Sequence, residues 1–193
     1  ESHYTYKSHC YNEDRFVASK DFFAVLDGAT DLGDNVNYKN KSEASILVSF
    51  LKEEFIKTGF SVSHPSNADV IVINSCTVTS SGDKKLLQTV RKMRNENPDS
   101  VIVLTGCYPQ AFKEKAASVT QADIVTGTKD RKKIPLLVIE FIKDHKRNIS
   151  IREHAGNEPI EEMSCSSFDS KTRAFVKIQD GCNQFCSYCI IPY

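Results

Sequence analysis

Ala68-Asp69-Val70-Ile71-Val72-Ile73-Asn74-Ser75-Cys76 carries four consecutive β-branched residues between polar neighbours. The run is too short and too evenly apolar for an amphipathic helix, and it lacks the alternation of a half-exposed strand. It reads as a strand buried on both faces, which is the environment of a parallel sheet covered by helices. The residues beyond it extend that reading. Ser80 or Ser81 can cap a helix whose Leu86, Leu87, Val90 and Met93 share one face and which stops before Pro98. Val101-Ile102-Val103-Leu104 repeats the strand signal, and Pro109 opens a helix carrying Ala111, Phe112, Ala116 and Ala117. Ala122-Asp123-Ile124-Val125 gives a third strand, a helix spans Ile134 to His145, and Ile149-Ser150-Ile151 gives a short final strand. Strands alternating with amphipathic helices define an α/β fold with a parallel, Rossmann-like sheet.

The flanks differ from this pattern. Phe16-Val17-Ala18 and Phe22-Phe23-Ala24-Val25-Leu26 surround a Ser-Lys-Asp turn and predict an antiparallel hairpin, followed by a helix from Ser42 to Lys57 with Ala44, Leu47, Leu51 and Phe55 on one face. Residues 153–172 are rich in Glu, Asn, Ser and Asp and are broken by Gly156 and Pro159, so they predict a linker. Ala174-Phe175-Val176-Lys177-Ile178 then predicts a new strand. The expected organisation is an N-terminal segment over 1–58, an α/β domain over 59–152, a linker over 153–172 and the start of another domain over 173–193.

The chain has 193 residues, 25 basic against 25 acidic, with 40% hydrophobic and 26% charged residues, which is the composition of an ordinary globular protein. Net charge therefore argues neither for nor against nucleic acid. Local basic runs at Lys129, Arg131, Lys132, Lys133 and at Lys143, Lys146, Arg147 are expected to be solvated helix ends. No apolar run has the length of a membrane span, and the first residues lack a signal-peptide pattern, so a reducing cytoplasm is expected. Seven cysteines, an odd number, fit thiols better than disulfides there.

Cys182, Cys186 and Cys189 form a C-x3-C-x2-C triad directly after the strand predicted at 174–178, with Tyr188 before the last thiol. Three thiolates on one short loop can hold three corners of a [4Fe–4S] cluster and leave the fourth iron open to an exogenous ligand. The alternative is a zinc site, for which Cys165 and His154 are the nearest further donors. Cys76 and Cys107 each follow a predicted strand and emerge at the same sheet edge if those strands are parallel neighbours. Gly106 is expected to let the backbone approach a bulky ligand closely. The alternative for both cysteines is that they act as small buried hydrophobes.

The segments Ala68–Thr79, Thr105-Gly106-Cys107-Tyr108-Pro109-Gln110 and Ile178-Gln179-Asp180-Gly181-Cys182 through Pro192-Tyr193 resemble the radical S-adenosylmethionine (SAM) methylthiotransferases over about residues 59 to 193. Asn183-Gln184-Phe185 and Ile190-Ile191-Pro192-Tyr193 are most similar to the members acting on N6-threonylcarbamoyladenosine in tRNA. The resemblance implies an N-terminal α/β domain followed by the first strand and cluster loop of a truncated radical SAM barrel. It implies a SAM-binding [4Fe–4S] cluster on Cys182, Cys186 and Cys189, with Tyr188 beside SAM, and a second [4Fe–4S] cluster on Cys76 and Cys107. The implied reaction begins with a 5′-deoxyadenosyl radical and transfers a methylthio group to C2 of the adenosine at tRNA position 37. A flavodoxin or ferredoxin would be the electron donor, and no membrane is involved.

Two departures accompany the resemblance. The third cysteine expected for the second cluster is echoed only by Leu32-Gly33-Asp34, where a carboxylate stands in place of the thiol and is a poor ligand for cluster iron. Asn12-Glu13-Asp14-Arg15 and Asp27-Gly28-Ala29-Thr30 weakly resemble the opening of PPM-type phosphatases, whose acidic residues bind divalent metal. The expected chain is thus the truncated N-terminal part of a methylthiotransferase, inactive alone. The alternatives are a non-catalytic iron–sulfur or zinc module and a divalent-metal phosphatase fragment using Glu13, Asp14 and Asp27.

Overall fold

A computed structural model of the chain describes residues 22–27, 42–62, 68–77, 80–154, 160–163, 178–179, 181–189 and 191. Six strands form one sheet: β1 (Phe22–Asp27), β2 (Ser61–Val62), β3 (Val70–Ser75), β4 (Val101–Gly106), β5 (Ile124–Thr126) and β6 (Asn148–Ser150). Their order is β2-β1-β3-β4-β5-β6, and each neighbouring pair runs parallel. The helices are α1 (Ser42–Lys57), α2 (Ser80–Glu96), α3 (Cys107–Ala111), α4 (Lys113–Ala117) and α5 (Ile134–Asp144). The architecture is a doubly wound, Rossmann-like sheet with the flavodoxin-like strand order, whose direction of winding reverses between β1 and β3.

Alternation along each strand splits the apolar residues between two layers. Ile71, Ile73, Ile102, Leu104 and Val125 face α2, α3 and α4 and pack with Leu86, Val90, Met93, Tyr108 and Ala116. Val70, Val72, Val101, Val103 and Ile124 face α1 and α5 and pack with Leu47, Phe50, Leu51, Phe55, Ile134 and Val138. Because both faces are covered, β3 and β4 need apolar residues at every position, which is why their sequences show no alternation.

The N-terminal elements differ from expectation. The first arm of the predicted hairpin, residues 16–18, and its turn lie outside the described residues. The second arm is β1, and its neighbours are parallel: Phe22 and Phe23 pair with Ser61 and Val62 of β2, and Phe23 through Asp27 pair with Val70 through Asn74 of β3. The intervening helix α1 makes this possible, since a crossover returns the chain to the same edge before the next strand starts. Strand β1 and helix α1 therefore share the sheet and core of the residues that follow.

Other differences are local. The helix expected from Pro109 to Ala117 is interrupted at Phe112, whose φ of −126° and ψ of 60° divide it into α3 and α4. The ring of Phe112 packs 5.5 Å from that of Tyr108, and Lys115 lies 4.7 Å above it. The strand expected at 122–125 is Ile124–Thr126, and that at 149–151 is Asn148–Ser150. Nor are the basic runs uniformly solvated. Lys129 is only 7% exposed. The Arg147 guanidinium donates to the carbonyls of Ala117, Val119 and Ala122 at 2.8–2.9 Å, securing the approach to β6.

At the amino ends of β4 and β5, Arg94 donates to Asp123 at 2.5 Å and to the carbonyls of Pro98, Ser100 and Gln121, while the same Asp123 oxygen accepts Ile102 N–H at 2.8 Å. This partly buried network ties a helix to two strands and leaves few backbone groups open at that end. No helix among the described residues is long and apolar enough to cross a membrane.

Leu51 is fully buried between α1 and the sheet. Leu51→Ala is expected to lower stability by about 2–5 kcal/mol. Urea denaturation should give one transition displaced as a whole, whereas a loss confined to part of the signal would separate α1 from the core.

Candidate functional site

The carboxyl ends of β3 and β4 carry Cys76 and Cys107. Ser75 and Gly106 are Cα partners, and the two cysteines are the next residues along their strands. Adjacent parallel strands are separated by about 4.8 Å, so the register sets the two residues side by side. Cys76 is half-buried, Cys107 is exposed, and both are thiols. Cys76 lies at the switch point between β1 and β3, the position where open α/β sheets form ligand crevices. The β1 register brings Asp27 level with Asn74 at the same edge, and Glu13, Asp14 and Asp34 lie outside the described residues.

Beneath the cysteines the strands are joined by Ser75. Its hydroxyl donates to the Thr105 carbonyl at 2.7 Å and accepts from Tyr108 N–H at 3.1 Å, both buried. Gly106 sits at φ +105°, where a β-carbon would press on Ser75 O and stand 2.7 Å from Asn74 Oδ1 and 2.8 Å from Ser75 N. The expectation that Gly106 admits a ligand is therefore corrected: the close approach is made by the neighbouring strand. Glycine is required there by both the backbone angle and the contact.

The rest of this edge is polar. Thr105 Oγ1 donates to Gly127 O at 3.0 Å, and Thr77 Oγ1 donates to Asp83 at 2.8 Å. Burial, followed by the Asp83 charge, raises the Tyr108 phenol above its ordinary value, so it remains neutral near physiological pH. Thr126 Oγ1 is buried without a hydrogen-bond partner.

The second cysteine group lies on residues 181–189. All three thiols are half-buried, and Cys189 N–H donates to Cys186 O at 3.0 Å, turning the chain between them. Gly181 at φ +73° and Phe185 at φ +46° supply the further reversals. Tyr188 is 90% exposed and Phe185 59%. Of the strand predicted at 174–178, only Ile178 is described, and it is 80% exposed. Among the described residues no three Cys, His, Asp or Glu side chains are gathered closely enough to hold a metal ion. The donor type itself suits thiolate-loving iron or zinc: three soft thiols within residues 182–189, with no disulfide among them.

Sequence reasoning did not find Ser75 or the connections made by Gln110. Neither has a spacing signal, because each acts through backbone groups of a distant segment.

Residues 38–127 match the family described as Uncharacterized protein family UPF0004. A threonylcarbamoyladenosine tRNA methylthiotransferase, MtaB, of Bacillus subtilis (strain 168) is 41% identical over 126 residues, covering 65% of this chain and 28% of that protein. Its counterpart in Aquifex aeolicus (strain VF5) is 33% identical over 144 residues, covering 74% of this chain and 35% of that protein. A tRNA-2-methylthio-N(6)-dimethylallyladenosine synthase of Ehrlichia canis (strain Jake) is 33% identical over 160 residues, 78% of this chain and 36% of that protein. This chain belongs to the methylthiotransferase family and is similar to its MtaB members. It spans between about a quarter and two-fifths of the length of these relatives.

Ser75→Ala is expected to leave Tyr108 N–H without its acceptor and to cost about 1–3 kcal/mol by chemical denaturation. Gly106→Ala should cost more, because φ and the interstrand contact both resist it. Equal stability of Gly106→Ala and the parent chain would contradict the contact described.

Proposed function

We propose that this chain is the N-terminal part of a tRNA methylthiotransferase that modifies C2 of N6-threonylcarbamoyladenosine at position 37 by radical SAM chemistry. The observation that carries the reading is the side-by-side pair Cys76 and Cys107 at the switch point of a sheet whose chain also bears the C-x3-C-x2-C triad. The relatives' names supply the reaction class.

In this reading Cys182, Cys186 and Cys189 would hold a [4Fe–4S] cluster, and the exposed Tyr188 would contact SAM. Cys76 and Cys107 provide two thiolates to a second [4Fe–4S] cluster, whose third ligand lies elsewhere. Electron delivery to SAM and sulfur for the transfer are the chemistry that such clusters supply when bound. The chain's own residues prepare for this. Ser75 and Gly106 join the two strands that lead into Cys76 and Cys107, while Gly181 and Phe185 reverse the backbone on either side of Cys182.

The α/β domain ends near residue 152, and the connector 153–172 leads to the start of a radical SAM domain over 173–193. The sheet of this domain also contains β1, and one of its apolar layers contains residues of α1. The substrate is tRNA, the electron donor is a flavodoxin or ferredoxin, and the compartment is the cytoplasm.

Anaerobic reconstitution with iron and sulfide tests the reading. The parent chain is expected to take up iron and sulfide with the absorption of thiolate-bound clusters. The C182A/C186A/C189A variant should lose about four irons per chain and keep its melting temperature, since the loop contributes no residue to either core. A colourless protein that takes zinc and refuses iron would sink it and favour the metal-binding module instead.

A further inference from the structure

Gln110 ends the Thr105–Gln110 motif, and neither cluster ligation nor the interstrand contact uses it. Its amide reaches two segments at once. Oε1 accepts Thr128 N–H at 3.1 Å and lies 3.4 Å from Thr128 Oγ1, while Nε2 donates to Arg152 O at 3.0 Å. Thr128 Oγ1 is in turn 2.8 Å from His154 Nε2. With the imidazole as donor there, the hydroxyl passes its own proton toward Gln110, and one continuous chain runs from the connector to the helix that begins at Cys107. Gly127 makes room for this amide, since a β-carbon at that position would collide with Gln110 Oε1.

Other contacts hold the same stretch. Lys113 meets Glu153 at 2.5 Å, and Arg152 meets Asp130 at 3.4 Å. The Glu153 carboxyl is held below its usual value by the hydrogen bond and charge of Lys113. These pairs are exposed, so each contributes little and is weakened by salt. The amide of Gln110 is uncharged and joins both segments, alongside the Thr128–His154 contact. Farther along, Glu161 accepts Arg131 N–H at 2.7 Å, and Met163 packs against the α1–α5 layer.

We propose that Gln110 is a positioning residue that fastens residues 151–154 across the carboxyl edge of the sheet. It thereby fixes where the chain departs from the Cys107 segment toward the Cys182–Cys189 loop. A reaction that moves sulfur from one cysteine group to a substrate held by the other needs that departure point to be constant. The inference goes beyond the function proposed above, because neither a cluster nor a substrate enters its measurement.

The test is trypsin cleavage of the intact chain at the Arg152–Glu153 bond in high salt, followed by mass spectrometry. Q110E retains an acceptor for Thr128 and loses the donor to Arg152 O. It is expected to speed cleavage at that bond roughly three- to tenfold, the effect of losing one hydrogen bond, with no change in melting temperature. G127A should act in the same direction by displacing the amide. Wild-type cleavage in Q110E would overturn the proposal. So would a parallel rise at Arg91 and Lys92 within α2, because that pattern reports general loosening of the domain.

Discussion

Gly106 holds a positive φ, and the backbone of Ser75 occupies the space where any β-carbon would stand. That contact sets the register of β3 against β4 at the level where the two cysteines emerge. Ser75 adds a hydroxyl that bonds both to the partner strand and to the first turn beyond it. The two cysteines are thus the first residues beyond a pair of hydrogen-bonded strand ends. A pair arranged this way pays little ordering entropy when it takes up a ligand, which is the physical advantage of building a site at a sheet edge.

The two ends of the sheet are built differently. At the amino end a guanidinium and a carboxylate bond to each other and to backbone groups of β4 and its approach. At the carboxyl end the residues are small and polar, as in Ser75, Thr105, Gly106, Thr126 and Gly127. One of their hydroxyls, that of Thr126, is buried without a partner. Stability concentrates at one end and open valence at the other, the division expected of parallel α/β folds.

How much of this could be read from sequence depended on whether the signal was local. Strands β3 and β4 were legible because burial on both faces demands unbroken apolar residues. The pairing of β1 with β2 and β3 was not, since parallel neighbours are chosen by a crossover helix and a distant strand. The break at Phe112 was hidden because it follows from ring packing on Tyr108. The cysteine spacing was visible at once, while Ser75 and Gln110, which act on main-chain atoms far away in sequence, left no pattern to find. Lys129 looked like part of a solvated run and is instead buried.

The strand order has a consequence for the birth of the domain. During synthesis β1 emerges early, yet its final neighbours β2 and β3 arrive only after α1, and parallel pairs cannot form through a tight turn. The opposite edge closes last, when Arg147 reaches carbonyls at the end of α4 and the approach to β5. The nascent chain must therefore hold an incomplete sheet until residues near 150 have left the ribosome. Through that interval apolar strands lack their covers, and folding becomes a matter of timing as much as of energy.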